Sequence, residues 1–281
     1  MKVGIIGLGL IGGSLARSIQ KHSGHEVYGY DINPDVVTAA LMSGAIDDEL
    51  TDALLGQCRM VLVALTPGLC VETIARHADR FAPGTIVVDC AGVKRAVVEP
   101  LRPVTADRSW TYIGGHPMAG REYGGFRHSQ STLFERASMI LTPDPDTSLE
   151  VLEQAKLFFL SAGFKSVRIT TPEEHDSMIS YTSQLAHIVS GAYVKNPLSQ
   201  EHSGFSAGSF QDMTRVARLN EDMWTELFLD NADYLGRELD SIIRSLTAYR
   251  DALAAGDAET LKRLLREGRE RKEEIDSEWK S

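Results

Sequence analysis

Short apolar runs and amphipathic stretches alternate through the first part of the chain. The runs at 3–6, 26–30, 60–65 and 85–89 are rich in Val and Ile and almost unbroken in apolarity. Strands buried on both faces read this way, because neither side of the pleat meets water. The stretches between them, 11–22, 34–43 and 68–80, have helical spacing. In the first, Ile11, Leu15 and Ile19 recur every four residues along one stripe. Strand and helix in alternation predict βαβ units and a doubly wound sheet. Runs at 112–114, 138–141 and 165–169 continue that sheet, with a helix over 148–161.

The pattern changes at Thr171-Pro172-Glu173-Glu174. A Thr cap, Pro at the first helical position and two acids in the first turn make a strong helix start. No strand is predicted beyond it. Helical patterns cover 172–195, 209–218, 221–254 and 258–279, separated by Asn196-Pro197, Asn220 and Gly256-Asp257. The last is densely charged and reads as a solvated face. The fold class is therefore α/β. A Rossmann-type sheet domain over 1–170 is followed by an all-helical domain over 171–281.

Composition narrows the partners. The chain has 281 residues, with 29 Lys+Arg against 39 Asp+Glu and a net charge of −10. That balance argues against nucleic acid or an anionic membrane as the main partner. No apolar run approaches the roughly 18–20 residues that span a bilayer. Glycines break the apolar start MKVGIIGLGL, which reads as a buried strand and not as a signal core. A cytoplasmic protein is expected. Cys58, Cys70 and Cys90 are an odd number without a C-x-x-C pair, and the eight histidines include no H-E-x-x-H. Neither a disulfide framework nor a metal centre is indicated.

Gly7-Leu8-Gly9-Leu10-Ile11-Gly12 fits G-x-G-x-x-G, follows a predicted strand and opens a predicted helix. Asp31 lies nineteen residues past Gly12, at the end of the next strand. That context predicts a dinucleotide site. Gly7 permits the tight turn, Gly9 lets the backbone approach the pyrophosphate, and Gly12 allows close helix–strand packing. Asp31 accepts from the adenosine ribose hydroxyls and repels a 2′-phosphate. Ile32-Asn33-Pro34 offers no cation to neutralise one, so NAD is favoured over NADP. Thr66, which ends the third strand, is a cofactor contact or simply a strand terminator.

A nicotinamide cofactor needs a group that handles the substrate hydroxyl proton. His116, in Gly114-Gly115-His116-Pro117-Met118-Ala119-Gly120, is the candidate. It is expected in a loop just past a strand, where a neutral imidazole accepts a proton at pH 7.

These features, with Ser183-Gln184-Leu185-Ala186-His187 and Phe210-Gln211-Asp212-Met213-Thr214-Arg215 followed by Met223-Trp224, resemble the prephenate/arogenate dehydrogenase family of tyrosine biosynthesis. The resemblance runs in order over nearly the whole chain. It implies an oxidative decarboxylation in which a cyclohexadienol is oxidised, hydride passes to NAD(P)+ and the C1 carboxylate leaves as CO2. His116 would draw off the ring hydroxyl proton, and Arg215 would hold a substrate carboxylate. Ser183 and His187, four residues apart and expected on one helix face, would line the pocket beside Trp224. Glu122 matches a family acid that can pair with the Arg215 position. The helical domain would bind substrate and form a homodimer.

The resemblance also marks a departure. Where one branch reads Gly-Ser-Val-Lys after the fourth strand, with a serine bonded to the histidine, this chain has Ala91-Gly92-Val93-Lys94. Neither a fused chorismate mutase nor an ACT domain is expected, so tyrosine feedback would act at the active site. Prephenate is the expected substrate and arogenate the alternative. Behind them stand another Rossmann-plus-helical reductase and a non-catalytic NAD sensor.

Overall fold

The computed structural model describes residues 1–121 and 123–280. Two compact units divide the chain, Met1–Ala232 and Asp233–Ser281. Among the described residues of the first unit, one sheet contains strands β1 (Lys2–Ile6), β2 (Glu26–Tyr30), β3 (Asp48–Glu49), β4 (Met60–Val63), β5 (Ile86–Asp89), β6 (Thr111–Pro117), β7 (Ser138–Pro143) and β8 (Ser166–Ile169). Their spatial order is β3-β2-β1-β4-β5-β6-β7-β8. The first six follow the Rossmann order, with the switch point between β1 and β4. All neighbours pair in parallel except β6 and β7, which are antiparallel.

Both faces of the sheet are covered, as the continuous apolar runs require. Ile5, Leu62, Val88 and Ile113 point into one core with Leu15 and Ile19 of the Leu10–His22 helix and Phe158 and Phe159 of the Leu149–Ser161 helix. Their chain neighbours Ile6, Val61, Val87 and Tyr112 point into a second core with Cys70 and Ile74 of the Pro67–His77 helix. Val97, Val98 and Leu101 complete that second layer from a helix over Arg95–Thr105. Sequence reading misses this helix because Pro100 and Pro103 lie inside it. Each proline removes an amide donor, and burial of the apolar stripe offsets the loss.

The helix that begins at Pro172 is not continuous. It runs as α-helix over Pro172–Ile179, as a wider π turn over Ser180–Leu185, and again as α-helix over Ala186–Val194. The wide turn carries Gln184 inward, where its Nε2 donates to the Leu227 carbonyl at 2.8 Å and its Oε1 accepts from Asn231 Nδ2 at 2.8 Å. Such turns often sit at functional sites. The pattern over 221–254 is likewise split, into Glu221–Leu229 and Ala232–Ala255. Asn231, fully buried, interrupts it and donates from Nδ2 to the Asp176 carbonyl at 2.9 Å. The 209–218 pattern ends in a 3-10 turn over Arg215–Ala217.

In the second unit, Gly256 turns the chain at φ +62 and Asp257 caps the Ala258–Lys280 helix by accepting from the Thr260 amide at 3.0 Å. Ion pairs such as Arg263–Glu267 and Arg269–Glu273 space the charges of that helix at i, i+4.

Candidate active site

The turn after β1 distinguishes its three glycines. Gly7 has φ +89, a region that side chains rarely enter, and a Cβ there would lie 2.6 Å from the Ala64 carbonyl oxygen. A Cβ on Gly12 would lie 1.8 Å from the Gly7 oxygen, whereas one on Gly9 would meet nothing within 4 Å. Gly7 and Gly12 are therefore demanded by the chain itself, whereas nothing in the chain demands Gly9, which leaves its side open for a ligand to approach the backbone. Gly9 caps the Leu10–His22 helix without a side-chain bond, so the first amides of that helix keep their donors. An anionic pyrophosphate fits this position.

Asp31 closes the turn from β2. Its Oδ2 accepts from the Leu8 amide at 2.8 Å and its Oδ1 from the Asn33 amide at 3.0 Å. Each oxygen keeps a lone pair for a hydroxyl. The Leu8 side chain is fully buried and the half-buried Ile11 packs on the first core, so these two act through the backbone. Thr66 is the N-cap of the Pro67–His77 helix and makes no side-chain cap bond. The same helix start receives Glu226, whose Oε1 accepts from the Gly68 amide at 2.9 Å.

His116 lies inside β6, one residue before its end, and not in a following loop. The reason is packing against its two neighbours, parallel β5 and antiparallel β7. A Cβ on Gly114 would lie 2.3 Å from Thr142 Oγ1, and one on Gly115 would lie 2.5 Å from the Asp89 carbonyl oxygen. The two glycines thus serve the sheet. Because β1, β4, β5 and β6 run parallel, the Gly7 turn, Thr66 and His116 all stand at the carboxyl edge, where ligands of such sheets bind.

Behind His116 is a buried polar cluster that sequence reading misses. Lys94, with no exposed surface, bonds through Nζ to Asp89 Oδ1 and to the Gly115 carbonyl. Asp89 Oδ2 accepts from the Tyr112 hydroxyl at 2.7 Å and from the Gly115 amide at 3.2 Å. Beside it, His116 Nδ1 lies 2.9 Å from His175 Nε2, and His175 Nδ1 lies 2.7 Å from Asp176 Oδ1. Asp176 also accepts from the amides of Lys94 at 2.7 Å and Arg95 at 2.9 Å. Burial, then the His175 ring and Lys94, hold His116 well below the usual 6.5. Burial also lowers His175, against its bond to Asp176. For Asp176, burial pushes upward, but the His175 and backbone bonds prevail and keep it below the usual carboxylate value.

A second group forms on the later helices. His187 Nδ1–H donates to the Val216 carbonyl at 2.8 Å, and its ring packs against Trp224 at a tilt of 50° with centroids 4.0 Å apart. Burial lowers its pKa, the Val216 bond opposes this, and the neighbouring Arg215 charge adds to the lowering. Arg215 is exposed; its amide donates to the Gln211 carbonyl, and its side chain forms no hydrogen bond or ion pair among the described residues. Ser183 sits in the π turn, half-buried, so its four-residue spacing from His187 spans a wide turn instead of regular α-helix. No side-chain hydrogen bond joins the two among the described residues. Arg218 donates to the Tyr123 hydroxyl at 2.9 Å and stacks on that ring at 4.8 Å, which brings the stretch after His116 onto the segment of Arg215. Glu122 lies outside the described residues.

Comparison with known proteins agrees along the chain. The family model for the prephenate dehydrogenase nucleotide-binding domain matches residues 15–168, and that for the prephenate dehydrogenase dimerization domain matches 171–267. Prephenate dehydrogenase of Bacillus subtilis is 34% identical over 275 residues, covering 93% of this chain and 72% of its own. The crystal structure of prephenate dehydrogenase from A. aeolicus, in complex with hydroxyphenyl propionate and NAD+, superposes with a TM-score of 0.86 at 28% identity, covering 98% of each chain. Synechocystis arogenate dehydrogenase gives a TM-score of 0.82 at 26% identity, covering 98% of this chain and 100% of its own.

Proposed function

The chain belongs to the prephenate dehydrogenase family, and on that premise we propose that it oxidises prephenate to 4-hydroxyphenylpyruvate with loss of CO2 and reduction of NAD+. The observation that carries this reading is the shared carboxyl edge, where a half-buried imidazole at 116 stands on the same side of the sheet as the glycine turn. We read 1–170 as the nucleotide-binding part and 171–281 as the substrate and dimerisation part, supported by the two family models.

Gly7, Gly9 and Gly12, with the helix that follows, hold the pyrophosphate, and Asp31 holds the ribose. Bound NAD+ supplies the hydride acceptor. His116 takes the hydroxyl proton at Nε2, Arg215 anchors a carboxylate, and His187, Ser183 and Trp224 bound the ring and side chain. Aromatisation of the ring drives departure of CO2.

Three outcomes follow from these roles. Asp31→Ala is expected to raise KM for NAD+ by about thirtyfold, the loss of roughly 2 kcal/mol from a charged hydrogen-bond acceptor. It should also narrow the gap to NADP+, which initial rates with both cofactors measure. Arg215→Ala is expected to raise KM for prephenate by about a hundredfold with little change in kcat, as for an anchor used in ground and transition states alike. The third outcome is a pH profile. A base works only when unprotonated, so its activity is present above its pKa and lost below it. Burial, His175 and Lys94 lower that pKa well beneath 6.5, so kcat/KM is expected to stay level from neutral pH down to 6.5 and to fall only at lower pH.

Arogenate is the second reading, supported by the similarity to the Synechocystis enzyme. Assaying both substrates side by side decides between them. A homodimer is proposed from the family's dimerization domain and from the exposed Ile243, Leu246 and Leu253 along the Ala232–Ala255 helix. Sedimentation at twice the 30.8 kDa chain mass tests it. The three buried free cysteines suit a reducing, cytoplasmic setting.

A further inference from the structure

We propose that His175 and Asp176 are positioning residues that lock His116 into the tautomer with its proton on Nδ1, leaving Nε2 as the bare proton acceptor. The inference rests on the reading of His116 as the base and adds two residues to it. The chain of donors runs one way. An ionised carboxylate only accepts, so the 2.7 Å contact of Asp176 Oδ1 requires the His175 proton on Nδ1. His175 Nε2 is then a lone pair, and the 2.9 Å contact from His116 Nδ1 requires the His116 proton there. His116 Nε2 has no hydrogen-bond partner among the described residues and belongs to a ring that keeps part of its surface exposed.

The far end of the chain is fixed by backbone. Asp176 Oδ1 accepts from the Lys94 amide at 2.7 Å, and Oδ2 accepts from the Arg95 amide at 2.9 Å and Arg95 Nε at 3.2 Å. These donors come from the segment after β5, so the start of the Pro172–Ile179 helix is tied to the sheet that carries His116. Lys94 and Asp89 are the other charged groups facing the pair. They bond chiefly to each other and to the β6 backbone. Both imidazoles are lowered by burial, so both are neutral at pH 7 and the single-file arrangement holds at working pH. Gly92 brings no hydroxyl to His116, and a Cβ there would already lie 3.2 Å from Leu227 Cδ2. Orientation of the base therefore falls to His175.

Nitrogen-15 NMR of the histidine-labelled enzyme, without substrate or cofactor, reads the tautomer directly. The expected result is His116 protonated on Nδ1 at neutral pH, its signal assigned by its loss in His116→Asn. His175→Phe removes the acceptor, and a mixture of His116 tautomers is expected. Its kcat should fall by at least roughly tenfold, with KM nearly unchanged. His175→Gln keeps an acceptor oxygen and is expected to restore the Nδ1 tautomer and most of the kcat. Finding His116 protonated on Nε2 in the unaltered enzyme overturns the proposal, and so does a folded His175→Phe enzyme with kcat within twofold of the original. If His175→Phe does not fold, the spectra of the unaltered enzyme and of His175→Gln decide. A His116→Asn enzyme that keeps its kcat would instead overturn the role of His116 and leave the tautomer result standing.

Discussion

Replacing His116 with Asn is expected to lower kcat by about 10²–10⁴, the range that general-base assistance supplies. Binding of the dinucleotide should be unaffected. Asn is close in size, and its amide can still donate toward His175 Nε2, which now receives from His116 Nδ1 at 2.9 Å. What it lacks is a nitrogen lone pair that can take a proton at neutral pH. The dinucleotide turn is built on β1 and β2 through Gly7, Gly12 and Asp31, with no hydrogen bond to His116 among the described residues. Titration of NADH fluorescence and initial rates with saturating prephenate separate the two effects. A kcat that does not move would remove His116 from the chemistry. An unaltered protein that binds NADH yet turns over neither prephenate nor arogenate would be a sensor.

What could be read from the chain is what local rules govern. Continuous Val/Ile runs report strands buried on both faces, and β1, β2, β4 and β5 fall on them. The Gly7 turn was legible because its backbone demands are local. The Arg95–Thr105 helix was not, since Pro100 and Pro103 forbid it locally and only burial of Val97, Val98 and Leu101 allows it. The π turn at Ser180–Leu185 and the break at Asn231 answer to side-chain bonds between distant segments, Gln184 to Leu227 and Asn231 to Asp176. The same holds for the site. His116 stood out through the glycines before it. His175 and Asp176 are hidden in Thr-Pro-Glu-Glu-His-Asp, whose cap, proline and first-turn acids a helix start already explains. A His beside an Asp one turn into the helix that follows the sheet was the available signal. Lys94 and Asp89 carried none, because only the fold makes them neighbours.

That hidden pair leads to the second large effect, which is on stability. Lys94→Met is expected to destabilise the protein by about 3–5 kcal/mol, the cost of leaving a buried charge without its partner. Both side chains have 0% exposure, so water cannot replace the lost ammonium. Asp89 Oδ1 would keep only the Ala91 amide at 2.9 Å, and the Gly115 carbonyl would lose the bond from Nζ. Met has nearly the same length and fills the space, so the loss isolates the charge and its hydrogen bonds from cavity formation. An exposed pair provides the contrast. Arg263 and Glu267 are both 57% exposed, and Arg263→Met should cost less than about 1 kcal/mol. Urea unfolding followed by circular dichroism measures both variants. Equal midpoints for the two would mean that Lys94 and Asp89 are not paired in solution. A midpoint that falls sharply for Lys94→Met alone would identify this pair as the support on which the His116 strand is built.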